Sequence, residues 1–257
     1  MLTQESSITL KKLGASAVGS KRLSGQVRPV ADLTTTERAQ MYELLAYYFA
    51  RTTQAQFERD LAEKAWAILL VAPLDGHIKG FSPLMRFQST LDGQPVHAYF
   101  SGDTIIRREY WGEIVLPRLR AQHVFGMAEA APDIAAYWFL ICSGYKTYRF
   151  LSVFFRHFYP TCQGPTPPPL KRLLDNLGRQ KFADEYDSRQ RIVRFNQATP
   201  LREGVAEIQA RRLKDPHVAF FAAANPGHIR GDELACLARL TRANLTPAGL
   251  RMLGLGA

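Results

Sequence analysis

The chain has 257 residues, 46% of them hydrophobic, with a formal net charge of +10 and a pI near 9.7. That apolar fraction excludes a wholly disordered chain and supplies a core for one large domain. The longest apolar run, Ile134 to Cys142, falls far short of the roughly 20 residues of a membrane-spanning helix.

Residues 1–32 are Ser/Gly/Lys-rich and aperiodic, and predict a basic, poorly ordered arm, with Lys11, Lys12, Lys21, Arg22 and Arg28 against Glu5 alone over residues 1–30. A single domain is expected over 33–257. Thr34 and Glu37 have capping-box spacing and start a helix running to about Arg51, with Met41, Leu44, Leu45 and Tyr48 on one face. A short helix, 54–63, precedes a strand at 65–71. Ile78 to Gln88 reads as a strand, Asp92-Gly93 as a two-residue hairpin turn, and Pro95 to Ile106 as the returning strand. Arg107 to Gly112 is a basic, aromatic loop, followed by a helix from about Glu113 to Ala131.

Pro132-Asp133 ends that helix. The continuous apolar run 134–142 then fits a strand buried on both faces. Ser143-Gly144 turns the chain into a helix, 145–158, rich in Tyr and Phe. A Pro-rich connector, 164–169, leads to a helix ending near Lys181. Strands are expected at 190–195 and 217–224. A last helix, from Gly231-Asp232 to about Asn244, carries the C-terminal part. Strands alternating with helices predict a mixed α/β sheet covered on both faces.

Three cysteines, Cys142, Cys162 and Cys236, lack Cys-x-x-Cys spacing, which argues against a disulfide framework or a zinc site. With no apolar signal core at the N-terminus, a cytoplasmic protein is expected. The basic balance favours an acidic partner: nucleic acid, a carrier protein or a phosphate-bearing cosubstrate. Against nucleic acid, Lys and Arg do not gather on one predicted element and no nucleic-acid motif appears.

The order of elements from Thr34 to Phe158 resembles the GNAT superfamily of N-acyltransferases. The resemblance implies a mostly antiparallel sheet with helices on both faces and two splayed central strands. They are expected to diverge around Phe100 and Phe139, leaving a slot for the pantetheine arm of acyl-CoA or of an acyl group on an acidic acyl carrier protein. It further implies that the loop Arg107-Arg108-Glu109-Tyr110-Trp111-Gly112 holds the donor's phosphates, with Arg107, Arg108, Tyr110, Trp111 and Gly112 as binding residues. Glu113 and Ile114 depart from the family's Arg/Gln-x-x-Gly-x-Gly/Ala pattern, leaving a catalytically inactive interaction module as an alternative. The aromatic residues from Tyr145 to Tyr159 read mostly as core, and the resemblance implies that some of them wall an apolar tunnel for a long acyl chain, as in acyl-homoserine-lactone and N-acyl amino acid synthases. No metal is implied.

Acyl transfer to an amine needs a base for the amine and a proton for the departing thiolate. Where the family places its tyrosine acid, this chain has Tyr148 and Tyr145, which equally read as core. His97 titrates near neutrality and is a candidate base, or a structural histidine. Tyr99 shares its strand face. Asn225 and His228, near Gly231-Asp232-Glu233, are candidates for the acceptor pocket; a turn and helix cap explain the same residues. Ser101-Gly102-Asp103 reads as a bulge or a tight turn.

Overall fold

The computed structural model describes residues 23–205 and 207–255. In chain order the elements are β1 (Ser24–Pro29), α1 (Thr35–Tyr48), α2 (Gln54–Ala62), β2 (Trp66–Val71), β3 (Ile78–Leu91), β4 (Gln94–Ser101) and β5 (Ile105–Ile106). Then follow α3 (Val115–Glu129), β6 (Ala135–Cys142), α4 (Tyr145–Phe154), β7 (Phe158–Tyr159), α5 (Pro168–Phe182), β8 (Tyr186–Asp187), β9 (Ile192–Val193), α6 (Pro216–Ala224), β10 (Glu233–Arg239) and α7 (Pro247–Leu253). One ten-stranded sheet has the order β1-β2-β3-β4-β6-β10-β9-β8, with β5 on β3 and β7 on β10. Among the described residues only β4 and β6 pair in parallel, and every other ladder is antiparallel. This is the mixed, mostly antiparallel α/β architecture expected from the sequence.

Side-chain alternation assigns the helices to faces. On β2, Ala67 and Leu69 pack with α1 and α2, whereas Ile68 and Leu70 pack against Leu116 at the start of α3. In the sheet centre, Tyr99, Trp138, Leu140 and Cys236 meet α3, α4, α6 and α7. Ala98, Phe100, Phe139 and Leu237 meet Leu173, Leu174 and Leu177 of α5 on the opposite face. Both flanks of β6 are thus covered, which is why its sequence is a continuous apolar run.

Local signals read in the sequence are present. Thr34 accepts from the Glu37 amide while the Glu37 carboxylate accepts from the Thr34 amide, a complete capping box. Asp92 and Gly93 both have positive φ, 49° and 81°, and join Leu91 to Gln94 in register, as a type I′ turn requires.

Four expectations need correction. The arm ends sooner than residue 32: Ser24–Pro29 pairs along β2 as the sheet's edge, while residues 1–22 lie outside the described residues. The segment 217–224 is a helix, not a strand, because Asp215 caps it through the His217 amide and Pro216 opens it. The expected helix from Gly231 to Asn244 is instead β10, inserted between β6 and β9 with Leu234–Ala238 at most 1% exposed. Its Glu, Leu, Ala and Arg suit a helix in isolation, but pairing with β6 overrides that preference.

The fourth concerns the splay. β4 and β6 remain paired at Phe100–Phe139, where the rings pack 5.6 Å apart, and at Ser101–Leu140. The two strands thus stay paired to the end of β4, and no splay is seen within the pair. There β4 ends, Gly102 to Thr104 leave the ladder opposite Ser82 and Pro83, and β5 rejoins β3. Ile141 and Cys142 then continue without a β4 partner.

Candidate active site

Where the β4–β6 ladder ends, the C-terminal ends of the two strands border a cavity of about 970 Å³, a size suited to a small-molecule ligand. Phe100, Ser101, Gly102 and Asp103 border it from the end of β4, and Ser143, Gly144 and Tyr145 from the turn between β6 and α4. The start of α3 adds Ile114, Leu116 and Arg120; α2 and its exit add Asp60, Glu63 and Lys64; β10 adds Glu233. Charged and apolar side chains from both strand ends and helices therefore share its lining.

Two carboxyl groups stand out in it. Glu233 is part-buried at the first residue of β10, opposite the end of β6. Burial and the neighbouring Asp103 push its pKa up to about 8, although a hydrogen bond from the Ser143 hydroxyl opposes them. Asp103 keeps surface open to the cavity, but surrounding protein raises its pKa. Asp60 adds to that rise and Lys64 opposes it. A glutamate that exchanges its proton near neutral pH, in a cavity, is suited to general base catalysis.

Tyr145, 8% exposed, borders the same cavity from the first turn of α4. Tyr148 does not. One turn further on, it is fully buried among Phe158, Phe220 and Phe221, and its hydroxyl donates to the Pro160 carbonyl at 2.9 Å. Burial pushes its pKa far above the ordinary tyrosine range, so it is a core residue rather than a proton source for the cavity. Tyr148→Phe is therefore expected to lower stability by about 1 kcal/mol through the lost hydrogen bond and to leave any catalytic rate within about twofold. Denaturant unfolding and a steady-state assay check both.

The other sequence candidates divide. His97 and Tyr99 are buried within the sheet, in edge-to-face contact at 6.4 Å, and neither borders the cavity. Burial, reinforced by Arg86, lowers the His97 pKa and keeps that ring neutral. Asn225 is fully buried, its amide donating to the Asp232 carbonyl at 2.8 Å, and His228 Nδ1 lies 2.9 Å from the Asn225 carbonyl. Both build the turn that delivers Glu233 to the cavity; neither reaches it. Arg107 faces a separate recess beside His77 and Lys79, and Tyr110 packs beside Leu116 on the sheet.

Trp111 and Gly112 do line the cavity. The loop's amides are only partly free for phosphate, since those of Trp111 and Glu113 donate to the Arg108 and Tyr110 carbonyls. Cations make up the difference. Lys146 Nζ lies 3.8 Å from the Trp111 ring centroid, Arg108 stacks on the same ring at 5.7 Å, and Arg212 is near enough to Lys146 to depress its pKa further after burial and Arg108. Among the described residues, none of these three has a carboxylate within 4.0 Å. The start of α3 and this cation cluster, of which Lys146 lines the cavity and Arg108 and Arg212 stand behind it, suit an anionic group.

Sequence reasoning missed Asp103, Glu233, Arg120 and Lys146. Asp103 and Glu233 lay within clusters already noted for other residues. Arg120 had a legible signal, for it interrupts the apolar stripe Leu116–Val124 at i+4 from each.

No protein-family model matches the chain, and no curated protein is similar to it. Among solved structures, a conserved protein of unknown function from Enterococcus faecalis is 18% identical over 53% of this chain, with a TM-score of 0.40, and the match spans 33% of that protein. The Escherichia coli GNAT-family N-acetyltransferase YhbS, in complex with CoA, is 12% identical over 55% of this chain and 72% of its own, with a TM-score of 0.38. Glucosamine-6-phosphate N-acetyltransferase from Arabidopsis thaliana is 14% identical over 50% of this chain and 88% of its own, with a TM-score of 0.37.

Proposed function

We propose that this chain is an N-acyltransferase that moves an acyl group from a coenzyme A or carrier-protein thioester to an amine. One observation carries the reading: Glu233 and Tyr145 both border a single cavity at the C-terminal ends of β4 and β6. Glu233 takes the proton that the amine must lose as its nitrogen bonds to the acyl carbon. Tyr145 gives a proton to sulfur as the carbon–sulfur bond breaks, so the products are an amide and a free thiol. The Trp111–Lys146–Arg108–Arg212 cluster holds the anionic end of the donor, on free CoA or on an acidic carrier. Phe150 and Phe154, which line the cavity from α4, offer an apolar wall to the acyl chain; Phe155 and Phe158 of the same aromatic stretch belong to the core.

The test measures thiol release from acetyl-, octanoyl- and palmitoyl-CoA, and from the same chains on acyl carrier protein, with and without a panel of primary amines. Amine-dependent thiol release with at least one donor is the expected result. If folded protein releases no thiol with any pairing, and no donor raises its melting temperature, the reading fails.

A further inference from the structure

Arg120 sits in the second turn of α3 with only 8% of its surface exposed, and it borders the cavity. Its guanidinium lies over the Trp138 ring at 4.5 Å and the Phe150 ring at 5.1 Å. Among the described residues its one polar contact is Nη1 to the Thr104 hydroxyl, at the outer limit of 3.5 Å. Among the described residues no carboxylate lies within 4.0 Å of it. Burial lowers its pKa to about 10, so it stays charged at neutral pH.

A buried charge without a counter-ion is costly, and aromatic faces return only part of the lost hydration. The two rings stand at 85° to each other, so the guanidinium rests against a corner of two aromatic faces, and the N–H groups that find no protein acceptor are left for an anion. Thr104, which it touches, directly follows Asp103, and Asp103 and Glu233 are acids suited to an ammonium group. Facing one cavity are therefore a cation without a carboxylate partner and two acids, Asp103 at the next residue along the loop, near Lys64, and Glu233 at the start of β10.

We propose that Arg120 receives the carboxylate of the acceptor, making the acceptor an amino acid or a related amino-carboxylic acid. This deepens the acyltransferase reading and rests on it for the role of the amine. The carboxylate itself has two sources, an amino acid or a free fatty acid, and binding probes separate them.

The experiment measures the affinity of the full chain for N-octanoylglycine, for N-ethyloctanamide, which lacks the carboxylate, and for octanoate, which lacks the amide. It uses the native chain, Arg120→Met and Arg120→Lys. N-octanoylglycine is expected to bind the native chain about 10- to 100-fold more tightly than N-ethyloctanamide, the scale of one charged, bidentate contact. Arg120→Met is expected to erase that ratio, and Arg120→Lys to keep part of it. The free Arg120→Met protein should also melt higher than the native chain, because an unpaired buried charge has been replaced by an apolar side chain. A purely structural arginine would do the opposite. The proposal is overturned if the ratio persists in Arg120→Met, if the native chain does not prefer the carboxylate, or if octanoate binds as tightly as N-octanoylglycine. Amine-dependent thiol release that is indifferent to the acceptor's carboxylate would overturn it while leaving the acyltransferase standing. An Arg120-dependent preference for N-octanoylglycine without any thiol release would keep the carboxylate site and remove the enzyme.

Discussion

Glu233→Gln is expected to lower kcat by about 100- to 1,000-fold, the scale of a lost general base. Glutamine preserves the volume and the contact with Ser143 but has no site for the amine's proton. The native pH profile should rise as Glu233 ionises, with a limb near its pKa of about 8. In the variant that limb should vanish, whereas the limb due to the amine's own ionisation persists in both proteins. Measuring kcat/KM between about pH 6 and 10 separates the two.

Stability supplies an independent sign. Folding raises the Glu233 pKa, so between the ordinary glutamate value and about 8 the folded chain holds a proton that the unfolded chain has lost. Its contribution to stability is therefore full at low pH and declines as pH rises through that window. Glu233→Gln, which cannot ionise, should melt higher than the native chain at about pH 9 and show little difference at about pH 4. A variant that retains the rate and the limb near 8 would show that the base lies elsewhere.

Phe139→Ala is expected to destabilise the chain by about 3–5 kcal/mol, the cost of a large cavity in a core that cannot collapse. Phe139 is fully buried in the middle of β6, and its ring contacts Phe87, Phe100 and Phe182 at 6.3, 5.6 and 6.2 Å between centroids. Strand neighbours hydrogen-bonded on both sides limit how far the backbone can close the gap. Because Phe100 and Phe182 also border the cavity, donor KM should rise in the same variant. Urea denaturation gives the stability loss, with Phe139→Leu as the milder control. A loss below about 1 kcal/mol would mean that the β4–β6 junction is not the rigid base of the cavity.

Local chemistry made much of the frame legible before any coordinates. Thr34 with Glu37, Asp92 with Gly93, and the apolar run through Phe139 each encode their conformation within a few residues: a cap, a turn needing two positive φ angles, and a strand needing cover on both faces. The resemblance of element order also led to the parallel pair β4–β6 and to the loop before α3. The site resisted for a physical reason. Glu233 becomes a base only because β10, a segment with helix-forming residues, is held as a strand by its partners β6 and β9, which precede it by about 90 and 40 residues in the chain. Arg120 becomes a candidate receptor for an anion only because Trp138 and Phe150 close over it from two other elements. Tyr145 and Tyr148 are alike in sequence, and the tertiary structure alone turned one to the cavity and the other to the Pro160 carbonyl. Residue order along the chain sets caps, turns and apolar faces. Which charges share a cavity depends on long-range strand pairing, and that pairing leaves no short-range mark in the sequence.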